Sequence, residues 1–110
     1  MSFNENTEEL VKGVCMLEYS HATREYGKKF HSKKEGYAVL KEEVEEVAEE
    51  YGQIKAFLEY LWYTIKSKEK IDYKKITHMQ EHTIKAIEEL AQVWAVSEKL
   101  KQTITDTPST

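Results

Sequence analysis

The sequence has little of what builds turns, sheets and disulfide frameworks. Its 110 residues include one proline, one cysteine and four glycines, none of them after Gly52. So little glycine and proline leaves few signals for β-hairpins or tight loops, and the lone Cys15 excludes an intramolecular disulfide framework. No stretch approaches the roughly 20 apolar residues that span a bilayer, and no apolar run resembles a signal peptide. We therefore expect one all-α domain in the cytoplasm, away from any membrane.

Aspartate is scarce as well. Of the 20 acidic residues, 18 are glutamate, and only Asp72 and Asp106 are aspartate. Glutamate is a good helix former, whereas aspartate competes for backbone hydrogen bonds and prefers caps and turns.

The formal net charge of −4 argues against nucleic acid as a partner, because binding a phosphate backbone requires a basic face.

Three helices are predicted. The first runs from about Asn6 to Tyr26, since Asn6 and Glu9 have the spacing of a capping box. The second runs from Lys33 to about Lys66 and begins at the capping pattern S-K-K-E over residues 32–35. The third follows a turn, with Asp72 as its N-cap. The apolar stripe of the first helix is Leu10, Val14 and Leu17, and that of the third is Ile76, Met79, Ile84, Ile87, Leu90, Ala91 and Trp94.

The second helix carries an unusually regular apolar pattern. Its apolar residues follow at alternating steps of three and four, which predicts a long helix packed lengthwise against another. These residues are Tyr37, Leu40, Val44, Val47, Tyr51, Ile54, Leu58, Leu61 and Ile65. Two long helices joined by a short turn are antiparallel neighbours. With the turn centred near residues 67–69, residue i of one helix lies level with about residue 134−i to 138−i of the other helix.

The predicted architecture is a long antiparallel helical hairpin plus a shorter N-terminal helix. Such a bundle is thin, and Phe57, Trp62 and Tyr63 lie off the heptad seam. We therefore expect a homodimer or higher oligomer to complete it. Residues 1–105 form the domain, and residues 106–110 form a flexible tail.

Six glutamates crowd the segment from Glu42 to Glu50, E-E-V-E-E-V-A-E-E, with no basic residue among them. Glu43, Glu46 and Glu50 share one edge of the helix, and the hairpin register sets Glu46 level with residues 88–92. Clustered carboxylates are unfavourable unless a cation compensates them. The spacing is compatible with a site for Mg²⁺, Mn²⁺ or Ca²⁺, and also with a plain solvated surface.

The segment F-H-S at 30–32, followed by E-G-Y-A-V-L-K-E-E-V-E-E at 35–46, resembles the MazG-like branch of the all-α nucleotide pyrophosphohydrolases. That superfamily carries an E-E-x-x-E motif, matched here by Glu42, Glu43 and Glu46. Its second motif, E-x-x-D, falls on Glu89-Leu90-Ala91-Gln92, where Gln92 replaces the aspartate and one anionic ligand becomes a neutral amide. The resemblance covers about residues 18–100.

The resemblance implies Mg²⁺-dependent hydrolysis of a ribo- or deoxyribonucleoside triphosphate to the monophosphate and pyrophosphate, with Mn²⁺ as a possible substitute. It makes Glu43, Glu46, Glu89 and Gln92 the metal ligands and Glu42 or Glu50 the general base. The substrate phosphates would meet Lys33, Lys34, His82 and Lys85, although the two lysines at 33 and 34 also suit a plain solvating role. The alternative is a catalytically weak or inactive helical oligomerisation or binding module of the same fold.

One further motif is H-M-Q-E-H at residues 78–82, which matches a zinc-protease pattern. Histidines at i and i+4 on one helix can reach one zinc ion. A protease would need a third ligand and a substrate cleft, and only 28 residues follow His82. A chance match in a charged helix is therefore the favoured interpretation.

Overall fold

The computed structural model describes residues 2–106, and it describes the side chains in that range except those at positions 25, 26 and 106. The chain forms three helices, α1 (Glu5–Tyr26), α2 (Lys33–Lys66) and α3 (Tyr73–Asp106). Residues 2–106 contain no strand, so the all-α prediction is confirmed. No helix in this range is long and apolar enough to cross a bilayer.

The start of α1 corrects the predicted cap. Asn4, not Asn6, is the N-cap, and its Oδ1 accepts a hydrogen bond from the backbone N–H of Thr7 at 2.9 Å. The helix ends at Tyr26, as predicted, and its C-cap is Gly27, whose φ of 86° is a left-handed conformation that glycine adopts without strain. The Gly27 N–H donates to the carbonyl of Thr23 at 3.0 Å.

The other two caps lie where the sequence predicts them. Ser32 caps α2, with its Oγ accepting from the N–H of Glu35 at 3.1 Å. The Glu35 carboxylate in turn accepts from the N–H of His31 at 3.3 Å. At the start of α3, the Asp72 carboxylate accepts from the N–H of Lys74 at 3.0 Å. The helix continues through Asp106, the first residue of the predicted tail, and residues 107–110 lie outside the described residues.

The central helix is α3, because both α1 and α2 pack against it. The hairpin of α2 and α3 is antiparallel, with the ammonium of Lys75 lying 5.3 Å from the ring centroid of Tyr60. This pair follows the predicted register. On the side of α1, the rings of Tyr19 and Trp94 meet edge to face with centroids 6.5 Å apart.

A close approach fixes the end of the bundle where α2 begins and α3 ends. A Cβ added to Gly36 would lie 2.7 Å from Cδ1 of Leu100 and 3.0 Å from Cδ2 of Phe30. Phe30 is buried, and its N–H donates to Oγ1 of Thr103 at 2.9 Å. The absence of a side chain at position 36 therefore allows this aromatic ring to fill the junction.

The core is thin. The described residues that are buried are Phe30, Gly36, Thr64, Ala91, Ala95 and Thr103. The molecule measures 61 × 32 × 25 Å, with a radius of gyration of 18.3 Å. A compact chain of this length has a radius of gyration of about 13 Å. The single chain is therefore an elongated bundle that leaves much apolar surface in solvent.

The heptad seam of α2 splits into two sets. Leu40, Val47, Ile54 and Leu61 are half-buried, whereas the other five positions are exposed. These five, which we call the exposed stripe, are Tyr37, Val44, Tyr51, Leu58 and Ile65. The seam was expected to pack against a neighbouring helix along its whole length. In the single chain, only the half-buried set does so.

Other predicted apolar contacts also face solvent in the single chain. Trp62 and Tyr63 on α2 are exposed, as expected for residues off the seam. The predicted stripe of α1 is exposed too, because α1 approaches α3 through the side that carries Tyr19. On α3, Ile84, Ile87 and Leu90 are exposed while Ala91 is buried.

Candidate metal centre

Three carboxylates from two helices converge on one point. Glu43 and Glu46 lie one turn apart on α2, and Glu89 comes from α3. One oxygen of each lies within 4.8 Å of the others. Residues at i and i+3 share a helix face, and the antiparallel register then brings Glu89 level with Glu46. We call these three residues the carboxylate cluster.

Two oxygens of the carboxylate cluster are buried without a partner. Oε2 of Glu43 and Oε2 of Glu89 accept no hydrogen bond from any described residue. Burying an unpaired acceptor is unfavourable, and such a group in a folded protein calls for a ligand, an ion or water. Oxygen donors in this number suit a small hard divalent cation, which would compensate both atoms.

The electrostatics of the carboxylate cluster also favour a positive charge. Burial raises the pKa of Glu43, and the nearby Glu46 raises it further. The pKa of Glu89 rises to about 7, chiefly through the hydrogen bond its protonated carboxyl donates to Glu46, then through burial and the charges of Glu46, Glu43 and Glu50. A proton on Glu89 therefore relieves the repulsion in the free protein, and a metal ion would compete with that proton.

Glu50 is held beside the carboxylate cluster by a histidine of α3. Its Oε2 lies 2.5 Å from Nδ1 of His82, and the two side chains are 14% and 19% exposed. The charge of Glu50 contributes to the raised pKa of Glu89. Glu42, the other predicted general base, is exposed and lines a shallow depression with Tyr37 and Lys41.

Gln92 opens onto a large cavity next to the carboxylate cluster. It is half-buried, lies one turn after Glu89, and shares with Glu43 the wall of a cavity of about 450 Å³. Phe30 and Lys99 form another part of the wall, with the Lys99 ammonium 4.5 Å from the centroid of the Phe30 ring. We call this space the large cavity.

Sequence reasoning did not single out two residues of this region, Glu18 and Lys99. Both line the large cavity, and the charge of Glu18 adds to the raised pKa of Glu43. Each comes from a helix segment with no motif of its own. They enter the site only because α1 and the end of α3 meet beside α2, which is a tertiary contact that no local pattern encodes.

The predicted phosphate contacts lie at different distances from the carboxylate cluster. Lys33 and Lys34 are the first two residues of α2, which places Lys33 about 15 Å along the helix from Glu43. Lys85 is exposed and lies one turn before Glu89 on α3. Of the lysines considered, Lys85 is therefore the one at the level of the carboxylate cluster.

Comparison of the chain with protein-family models, with curated proteins and with solved structures gives no match. A functional interpretation therefore depends on the side chains themselves. The three carboxylates are suitably placed to hold a divalent cation, and a fourth carboxylate and a cavity lie beside them.

Proposed function

We propose that the chain is a Mg²⁺-dependent pyrophosphohydrolase that converts nucleoside triphosphates, ribo- or deoxyribo-, to the monophosphate and pyrophosphate. The observation that carries the proposal is the pair of buried, unpartnered oxygens on Glu43 and Glu89, next to Glu46. This donor set fits Mg²⁺, which binds through a few carboxylates together with phosphate oxygens. The substrate class follows from the resemblance of the two glutamate motifs to those of the MazG-like enzymes.

Glu43, Glu46 and Glu89 would hold the ion, and the amide oxygen of Gln92 would be the fourth donor. When bound, Mg²⁺ supplies a compact positive charge that neutralises phosphate oxygens at the scissile bond. The neutral Gln92 leaves the site with one negative charge fewer than an aspartate would give. We therefore expect weaker Mg²⁺ binding than four carboxyl ligands would provide.

Glu50 suits the general base better than Glu42 does. His82 fixes its carboxylate through Oε2 at 2.5 Å, so Oε1 can accept a proton from the attacking water. A carboxylate held in place loses less orientational freedom on the way to the transition state. Lys85 would meet the charge of the phosphates from α3.

The large cavity is where the nucleoside fits best. Its volume of about 450 Å³ lies in the range of small-molecule sites. Phe30 lies in its wall with the Lys99 ammonium over the ring, and Glu43 lies where the cavity and the carboxylate cluster meet.

We also propose that a second copy of the chain covers the exposed stripe. The single chain has an accessible surface of 8784 Å², whereas a compact monomer of its mass exposes roughly 6,300 Å². Stable homodimers bury roughly 2,000–5,000 Å² in total, so the excess is sufficient for one. Hairpins pairing along the exposed stripe would form a four-helix core.

Mg²⁺ stabilisation tests the metal site. We expect millimolar Mg²⁺ or Mn²⁺ to raise the melting temperature of the wild type, because the ion binds only the folded chain. Glu43→Gln and Glu46→Gln should each abolish this rise. Glu45→Gln is the matched control, since Glu45 is exposed on the same helix and pairs with Lys41; it should keep the rise. No shift in the wild type would contradict the metal site.

The second candidate is a helical oligomerisation or binding module without turnover. The exposed stripe favours it, because a long apolar seam serves assembly whether or not the chain is an enzyme. The neutral Gln92 favours it too. Mg²⁺ stabilisation without pyrophosphate release from any nucleoside triphosphate would support this candidate over the enzyme.

A further inference from the structure

Two histidines of α3 turn the same ring nitrogen toward each other. Nε2 of His78 and Nε2 of His82 lie 3.3 Å apart, and the ring planes are nearly perpendicular, at 88°, with centroids 4.8 Å apart. The residues are four apart on α3, so one helix face presents both rings.

At this separation the two rings can share an N–H···N hydrogen bond, and the same separation suits two imidazole ligands of one tetrahedral metal ion. Two Zn–N bonds of about 2.05 Å at the tetrahedral angle place the nitrogens about 3.3 Å apart and the ring centroids about 5 Å apart. The two rings therefore need little movement to accept one ion between their Nε2 atoms.

The opposite nitrogen of each ring faces a carboxylate. Nδ1 of His82 lies 2.5 Å from Oε2 of Glu50, and Nδ1 of His78 lies 3.6 Å from Oε2 of Glu81. Metal-binding histidines usually donate their second ring N–H to a carboxylate or carbonyl, which leaves the other nitrogen for the ion. His82 thus has a carboxylate at hydrogen-bond distance that directs its Nε2 toward a metal, whereas the exposed Glu81 lies near His78 as a charge and is beyond hydrogen-bond distance.

The space beside the two rings is a small cavity. It has a volume of about 170 Å³, and its polar lining residues are Gln53, Tyr60, Lys75, His78 and His82. A cation bound to the histidine pair would have room for water there. The site is separate from the carboxylate cluster, because His82 precedes Glu89 by two helical turns, about 10 Å.

We propose that His78 and His82 form a second cation site, which takes Zn²⁺ or another transition ion that prefers nitrogen ligands. The chain supplies two ligands, and water fills the remaining positions. An ion bound at Nε2 of His82 leaves the proton on Nδ1, which is donated to Glu50. The bound ion therefore stabilises the contact between α3 and α2 at that carboxylate. Of the H-x-x-E-H pattern, only the two histidines take part as ligands.

Calorimetric titration with Zn²⁺ tests this site. We expect the wild type to bind one Zn²⁺ at the histidine pair, and His78→Ala to lose that binding. His78 is exposed, so alanine there keeps the helix intact. His21→Ala is the matched control, because His21 is also an exposed histidine within a helix, and it should bind Zn²⁺ like the wild type. Glu50→Ala should weaken binding roughly tenfold, the effect of losing an outer carboxylate.

Glu43→Gln separates this site from the carboxylate cluster. The proposal requires that Glu43→Gln retains the Zn²⁺ binding that His78→Ala loses. If Glu43→Gln loses Zn²⁺ while His78→Ala keeps it, the ion binds the carboxylate cluster and the proposal is wrong. Equal Zn²⁺ affinity of His78→Ala and the wild type would overturn it as well.

Discussion

At the scale of single residues, the sequence predicted which segments of the hairpin lie level with each other, but not which side chains are in contact. The register set Glu46 level with a stretch that contains Glu88, Glu89 and Gln92. In the structure Glu88 is exposed and Glu89 joins the carboxylate cluster. The choice depends on the rotation of α3 about its axis, which the packing of its whole length decides.

The contact between His82 and Glu50 was not predicted either. The resemblance made His82 a phosphate contact, together with Lys85. The register would have set Glu50 level with residues 84–88, whereas its partner lies slightly earlier in α3. Long side chains reach across half a turn, so a register of backbones does not specify pairs of side-chain atoms.

The raised pKa of Glu89 predicts how stability depends on pH. The folded chain keeps this carboxyl protonated up to a pH of about 7, whereas an ordinary glutamate loses its proton near 4.5. Between these values the folded state binds more protons, so without metal the free energy of unfolding falls as pH rises, by on the order of 1 kcal/mol. Glu89→Gln should reduce this decline, and the part due to the raised pKa of Glu43 should remain.

Urea unfolding at about pH 5 and about pH 8, without divalent cations, measures the decline. Glu88→Gln is the control, because Glu88 is the exposed neighbour on the same helix, and it should behave like the wild type. A decline that persists unchanged in Glu89→Gln would contradict this origin.

At the scale of the helices, capping and periodicity predicted the bounds well, whereas the buried faces were predicted less well. Ser32 and Asp72 cap α2 and α3 as expected, because short polar side chains at these positions satisfy free backbone N–H groups. The cap of α1 was misplaced by two residues, since Asn4 and Asn6 are both suitable residue types.

The heptad pattern of α2 could not tell which of its two positions meets α3. Both positions are apolar throughout, yet the set that includes Leu40 is half-buried and the set that includes Leu58 is exposed. An apolar heptad pattern indicates that a position is suited to burial. It does not indicate whether the surface that covers it belongs to the same chain or to another.

Two glycines of α2 give a matched test of packing. Gly36→Ala would bring a Cβ within 2.7 Å of Leu100 and 3.0 Å of Phe30, so we expect a loss of about 1–3 kcal/mol in the free energy of unfolding. Gly52→Ala meets nothing within 4 Å and should stabilise the chain by about 0.5–1 kcal/mol, since alanine favours a helix. Urea unfolding of both variants measures this. Equal effects would mean that the α2–α3 junction is not packed around position 36.

At the scale of the whole molecule, the thin core is the main feature. One helix, α3, carries the contacts of both others, and most large apolar side chains are exposed in the single chain. The predicted architecture, a long hairpin plus one shorter helix, already indicated that the core of a single chain would be thin. They did not predict that the Leu10 stripe of α1 would face solvent, because the side of α1 that meets α3 is selected by Tyr19 and its neighbours.

Oligomerisation should show in solution. We expect the wild type to have at least twice the mass of one chain by light scattering, and its melting temperature to rise with protein concentration. Leu58→Lys, which places a charge in the middle of the exposed stripe, should shift the mass toward the monomer. Glu59→Lys, at the adjacent exposed position, is the control and should not. A wild type that stays monomeric at every concentration would contradict the dimer.

We propose above all that the carboxylate cluster supports hydrolysis of nucleoside triphosphates. The most direct test is to incubate the purified chain with each common NTP and dNTP and Mg²⁺, and to measure pyrophosphate release. We expect pyrophosphate and the monophosphate from at least one nucleotide, only with the metal, with activity lost in Glu43→Gln and retained in Glu45→Gln. Absence of pyrophosphate from every nucleotide, or equal release by Glu43→Gln and the wild type, would contradict it.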